Sequence, residues 1–183
     1  MKNILLPLAL VFISLSFAQD KYLTKTGTVT FEASVPAFEE VKAKNESTTA
    51  ILNTENGEFA ALVLVKGFRF KNALMEEHFN ENYAESDDFP KATFKGTISN
   101  FSFEKINNKP TSATFNGSLT FHGKTKAIEN STLNISMSDD NEIQLSGDFM
   151  ADVSDFDIEI PSVVSKKLSK EVAVTYQFTL LKR

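Results

Sequence analysis

The sequence predicts an all-β fold, an antiparallel barrel of about eight strands with one or two short helices. Three observations carry that reading. Several segments alternate apolar and polar side chains with period two, as a strand with one buried face must. Short, turn-rich stretches separate them, which makes consecutive strands antiparallel neighbours. Composition is even along the chain, with no Pro-rich or Gly/Ser-rich linker and no repeat of fixed period, so one domain is expected.

At the N-terminus, Lys2 precedes an apolar run from Ile4 to Phe17 that ends in Ser16-Phe17-Ala18. A basic start, an apolar stretch and a small-residue exit make a signal peptide, read here as cleaved after Ala18. The run is too short to cross a hydrocarbon core of about 30 Å, and the chain turns polar from Gln19 onward. Residues 1–18 are therefore read as a leader and 19–183 as the mature domain, periplasmic or secreted. Without Lys2 the balance is 18 basic against 24 acidic residues, or −6, which gives nucleic acid or an anionic membrane no electrostatic hold. Cysteine is absent, so disulfides, thiolate metal sites and cysteine nucleophiles are excluded.

Within the mature chain, Val29, Phe31, Ala33 and Val35 alternate with Thr28, Thr30, Glu32 and Ser34. Two strands, 48–53 and 59–66, flank Asn56-Gly57, where glycine accepts the positive φ of a tight hairpin. Ala92, Phe94 and Ile98 share a face with Gly96, and Phe115, Leu119 and Phe121 face away from Asn116, Ser118 and Thr120. Residues 126–137 supply one more strand. The alternation returns at Ile143, Leu145, Phe149, Ala151 and Val153, and again at Val172, Val174, Tyr176, Phe178 and Leu180. Helix is expected at 72–83, where Met75 and Phe79 lie one turn apart, and more weakly at 162–170 after Pro161.

Catalytic chemistry is thinly represented. Two His and no Cys, without a His-x-x-x-His spacing, give no metal site. No Gly-x-Ser-x-Gly elbow, P-loop or Gly-x-Gly-x-x-Gly run provides a nucleophile or a nucleotide cofactor site. Acidic runs such as Glu85-Ser86-Asp87-Asp88 read as solvated loops. Asn-x-Ser/Thr sequons at Asn45, Asn116, Asn130 and Asn134 have meaning only on a eukaryotic secretory route.

An ordered set of motifs spans nearly all of the mature chain: Met75-x-x-His78-Phe79, Phe89-Pro90-Lys91-Ala92-Thr93-Phe94, Gly117 through Lys126, and Asp155-Phe156-Asp157-Ile158. In these the sequence resembles the YceI-like family of bacterial secreted proteins. The resemblance implies an eight-stranded, lipocalin-like barrel that holds a polyisoprenoid or other long-chain lipid in the periplasm.

Of the 17 Phe, 15 follow Ala18, and strand-borne rings fall repeatedly on the apolar face. Such rings can solvate a hydrocarbon chain, each buried CH₂ contributing about 0.8 kcal/mol, or they can pack on one another and leave no cavity. With the resemblance, the expected lipid contacts are Phe31, Phe70, Met75, Phe79, Phe94, Ile98, Phe115, Leu119, Phe149, Tyr176 and Phe178. His78 and His122 are candidate head-group contacts, although strand parity puts His122 on the polar face unless Gly123 sits in a bulge. Met75 and Phe79 belong either to a lid or to a helix packed outside the sheet. The first reading is thus a lipid carrier or reservoir and not an enzyme. The alternative is a self-filled barrel serving as an interaction module, and an isoprenoid-modifying enzyme using a histidine ranks third. Whether the chain forms a homodimer is left open.

Overall fold

A computed structural model describes residues 21–183; the expected leader lies outside the described residues. The strands run β1 (Lys21–Ser34), β2 (Lys42–Asn53), β3 (Glu58–Leu64), β4 (Arg69–Phe70), β5 (Lys91–Ile98), β6 (Thr111–Phe121), β7 (Lys124–Met137), β8 (Ile143–Asp152) and β9 (Leu168–Lys182). Consecutive long strands pair antiparallel, and β1 pairs with both β2 and β9, so eight strands close into a barrel. The two-residue β4 extends the wall where β3 no longer covers β2, pairing Phe70 with Ala43 and Arg69 with Lys44.

Alternation translates directly into burial. In β9, Tyr176, Phe178 and Leu180 are buried while Thr175, Gln177 and Thr179 are exposed. In β5, Phe94 and Ile98 are buried while Lys95 and Thr97 between them are exposed. A helix α1 (Ala73–His78) begins where Asn72 caps it, its side chain accepting from the Leu74 N–H, and continues as a π turn over Phe79–Tyr83.

Four expectations are corrected. Residues 162–167 form turns, not a helix, with Val164 N donating to Pro161 O at 3.0 Å and Lys167 N to Val164 O at 2.8 Å. So short a stretch rich in Ser and β-branched Val does not propagate a helix, and Leu168 is drawn into the β9 ladder opposite Ser34. The first strand starts seven residues before Thr28, at Lys21, with Tyr22 and Thr24 buried; polar Thr24 and Thr26 and a register break near Gly27 hide its period. The hairpin at Gly57 (φ 74°) is a four-residue loop, 54–57, in which Gly57 N donates to Asn53 O. His122 lies on neither strand face: with Gly123 it forms the two-residue link between β6 and β7, both at positive φ (47° and 71°).

An up-and-down barrel sorts its core by end. Tyr22, Leu52, Phe59, Ile98, Phe115, Leu133, Ile135, Ile143, Leu145, Phe178 and Leu180 converge in one cluster, at the ends nearest the 54–57, 99–110 and 138–142 connections. Phe101, Phe103 and Ile106, from the second of these, pack beneath it. Phe115 is fully buried because Gly96 and Gly117, paired across β5 and β6, leave room for its ring; a Cβ at either would collide with it.

Candidate functional site

The opposite end of the barrel is hollow. A cavity of about 370 Å³ opens there, at the lower end of the usual small-molecule range of about 300–1,000 Å³. Its wall is apolar: Val29, Phe31 and Ala33 from β1, Ala61 and Val63 from β3, Ala92 and Phe94 from β5, Leu119 and Phe121 from β6, Phe149 and Ala151 from β8, and Val172 and Val174 from β9. Its floor is Phe94, Tyr176 and Phe178, where Phe94 stacks on Phe115 (4.7 Å between centroids) and Tyr176 on Phe178 (5.6 Å). Burial pushes the Tyr176 hydroxyl up to about 12, with nearby Asp148 adding to the shift.

Three segments build the rim. The loop after β1 gives Phe38, Glu39 and Val41; the α1 region gives Phe68, Phe70, Met75, His78, Phe79 and Tyr83; the stretch after β8 gives Val153, Phe156, Ile158, Ile160, Val164 and Lys167. Phe79 is the hub of an aromatic cluster, 5.1 Å from Phe31, 5.3 Å from Phe70 and 5.9 Å from Phe68. The helix is pinned to β4 by Glu76, whose two oxygens accept from Arg69 Nη1 (2.8 Å) and Phe70 N (3.1 Å). Apart from Thr93 and the Tyr176 hydroxyl, the polar groups gather at the rim: Glu39, His78, Tyr83, Asp152, Lys167 and Ser169 line the opening. Burial raises the Tyr83 hydroxyl, and hydrogen bonds from Ser154 hold Asp152 below the usual carboxylate range.

Of the residues singled out from sequence, Phe31, Phe70, Met75, Phe79, Phe94, Leu119, Phe149, Tyr176 and Phe178 line the cavity, as does exposed His78. Ile98 and Phe115 sit below the floor in the packed cluster. His122 does not line it. Its Nδ1 meets Phe156 O at 2.8 Å and its Nε2 meets Glu85 Oε2 at 3.1 Å, so the ring clasps two rim segments together from outside. Phe121, Val172 and Val174 are within reach of strand parity, being on the same faces as Leu119 and Tyr176. Ile158 and Ile160 continue an apolar-acidic alternation from Phe156 although their backbone is irregular, and Phe38 and Val164 stand in irregular backbone where no period marks them.

Residues 21–180 match the model of the YceI-like domain. The chain belongs to the YceI-like family. A polyisoprenoid-binding domain from Saccharophagus degradans implicated in plant cell wall breakdown shares the barrel with a TM-score of 0.77 at 13% identity, over 89% of this chain and 98% of that one. BcnA of Burkholderia cenocepacia follows at 0.65 and 13% identity, over 84% and 95% of the two chains. The YCEI protein of Campylobacter jejuni gives 0.62 and 13%, over 81% and 88%. At such identity these YceI-like barrels share a fold with this chain. No curated protein matches it. Among the described residues of this YceI-like barrel, no group of three or more His, Asp or Glu is placed to hold a metal, and no helix is long and apolar enough to cross a membrane.

Proposed function

We propose that the hollow end of the barrel binds the hydrocarbon chain of a polyisoprenoid or other long-chain lipid, and that the protein is a periplasmic or secreted carrier or reservoir rather than an enzyme. One observation carries this: a cavity of about 370 Å³ walled by Phe, Val, Ala and Leu persists beside a cluster of buried side chains from the same strands. Such a wall offers a hydrocarbon chain about 0.8 kcal/mol per buried CH₂, and it offers a polar substrate nothing to orient it. Rim polarity fits a ligand whose head stays in water while its tail enters. The Saccharophagus neighbour, described as polyisoprenoid-binding, supports the same chemistry.

The test is organic extraction of the purified protein followed by mass spectrometry. A long-chain lipid at near one-to-one occupancy is the expected result. Finding none, with no uptake of an added prenyl alcohol, overturns the reading and leaves a self-contained interaction module.

A further inference from the structure

The barrel wall is not continuous. Strand β7 pairs with β6 as far as Lys124, and β8 pairs with β9 as far as Asp152, yet the ladder between β7 and β8 ends at Leu133 and Gly147. Beyond that pair the two strands separate, and the side chain of Ser131 reaches across to the Asp148 carbonyl at 3.3 Å in place of a ladder bond. The divergence has a local cause. Glu129 and Asn130 together oppose Asn116, a bulge with Asn130 at φ 52°, and the Asn116 side chain accepts from Asn130 N at 2.8 Å. A bulge bends its strand, here away from β8. Farther along, Lys126 to Asp155 (2.8 Å) and Lys124 to Asp157 (2.6 Å) tie β7 to the segment that follows β8. A window is left, framed by hydrogen bonds below and ion pairs above.

That window holds an outer cleft of about 460 Å³, rimmed by Ala127, Ile128, Phe149 and Met150 together with Glu129 and Asp148. Phe149 borders both this cleft and the inner cavity, so its ring stands between them. On the inner side it stacks on Phe94 at 5.4 Å with the planes 3° apart, an arrangement a sliding hydrocarbon could replace.

We propose that this window is a side portal gated by Phe149, through which the far end of a long uncharged hydrocarbon chain leaves the barrel. The inference rests on the lipid-binding reading and specifies which part of the ligand goes where. A chain entering at the rim meets the floor of Phe94, Tyr176 and Phe178 after a short path, so a longer chain needs a second exit. The floor is backed by close-packed rings; the wall at Phe149 is backed by solvent. Glu129 and Asp148 exclude an anionic head from the cleft but not an alkyl tail. A partner strand is disfavoured there, because the edge carries paired lysines and a bulge, features that oppose strand addition.

Retention of farnesol, a short prenyl alcohol, and of solanesol, a much longer one, distinguishes the outcomes. The variants are Phe149→Trp, which narrows the gate, and Met150→Glu, which puts charge on an exposed rim position, 56% accessible, where folding is not at stake. Solanesol is expected to be held about tenfold more weakly by either variant, about 1.4 kcal/mol, with farnesol changed by less than about twofold in Met150→Glu, which lies outside the cavity wall. Equal losses for both alcohols in Met150→Glu, or unchanged solanesol retention there, overturn the portal while the lipid-binding reading stands. Loss of self-association in Met150→Glu with solanesol unaffected reassigns the cleft to strand pairing. If the wild-type protein holds neither alcohol, both readings fall.

Discussion

The two ends of this barrel are made from the same eight strands and the same kind of side chain, yet one is solid and the other hollow. At the solid end glycines make room for rings: Phe115 lies over Gly96 and Gly117, Phe178 over Gly27, and Tyr176, at the boundary, over Gly147. Among the described residues, the rings clustered at the hollow end have no glycine beneath them. Phe31, Phe68, Phe70 and Phe79 contact one another edgewise or tilted along the wall and leave the axis empty. The connections differ as well, since the solid end is plugged by Phe101 and Phe103, whereas the segments 65–90 and 153–167 stand around the opening as a rim. Aromatic content alone therefore does not tell a core from a binding site. The residue opposite the ring does.

Substitutions can break or sharpen that contrast, and the largest effect is expected at the solid end. Phe115→Ala removes a fully buried ring and should cost about 3–5 kcal/mol, read from denaturant unfolding, with lipid occupancy per folded molecule little changed. If occupancy fell in step with stability, the two ends would not be separable.

Tyr176 marks the boundary and should make it visible to pH. Its folded value of about 12 lies above the ordinary 10.0, so the folded state holds this proton more tightly. The corresponding stability is whole below pH 10 and drains as pH rises toward 12, on the order of 2 kcal/mol in all. Tyr176→Phe should flatten that alkaline slope, and an unchanged slope would place its cause elsewhere.

At the hollow end, Met75→Ala combined with Phe79→Ala should lower stability by about 1–2 kcal/mol while speeding lipid release several-fold, measured by exchange into vesicles. A large loss of stability with unchanged release would make α1 a packing element instead of part of the opening. The smallest expected effect is that of Glu76→Gln, about 0.5–1 kcal/mol, since the Arg69 side of the pair it disrupts is largely exposed. Its use is to loosen α1 without touching the cavity wall, so faster release in this variant would show that helix position governs exit.

Period two makes most of the wall legible in the sequence. It puts Phe94, Leu119, Phe149, Tyr176 and Phe178 on inward faces, because a slip of one residue would expose all of an apolar set at once. It does not show which end of a strand is filled, and so it groups Ile98 and Phe115 with residues that line the cavity. That distinction depends on glycines across the sheet and on loop lengths, which parity does not see. The stretch 153–167 is hard to read for a related reason: Phe156, Ile158 and Ile160 alternate with acidic residues as a strand would, yet they form no strand and line the rim, and Val164 has no local period at all. His122 escapes parity because two successive residues at positive φ turn the side chain off both strand faces.

The pairing of β1 with β9 also shapes how the molecule is made. Leu23 lies opposite Leu181 and Phe31 opposite Val174, contacts separated by almost the whole chain, so closure is the entropically most distant event in folding. Until β9 is available, the hairpin of β1 and β2 must wait with one edge unpaired, a form open to mispairing with other chains. A segment that kept the chain unfolded until its last strand had emerged would shorten that exposure. Removing β9 would accordingly do more than delete one stave: it would leave β1 and β8 as facing open edges and convert a closed fold into an assembling one.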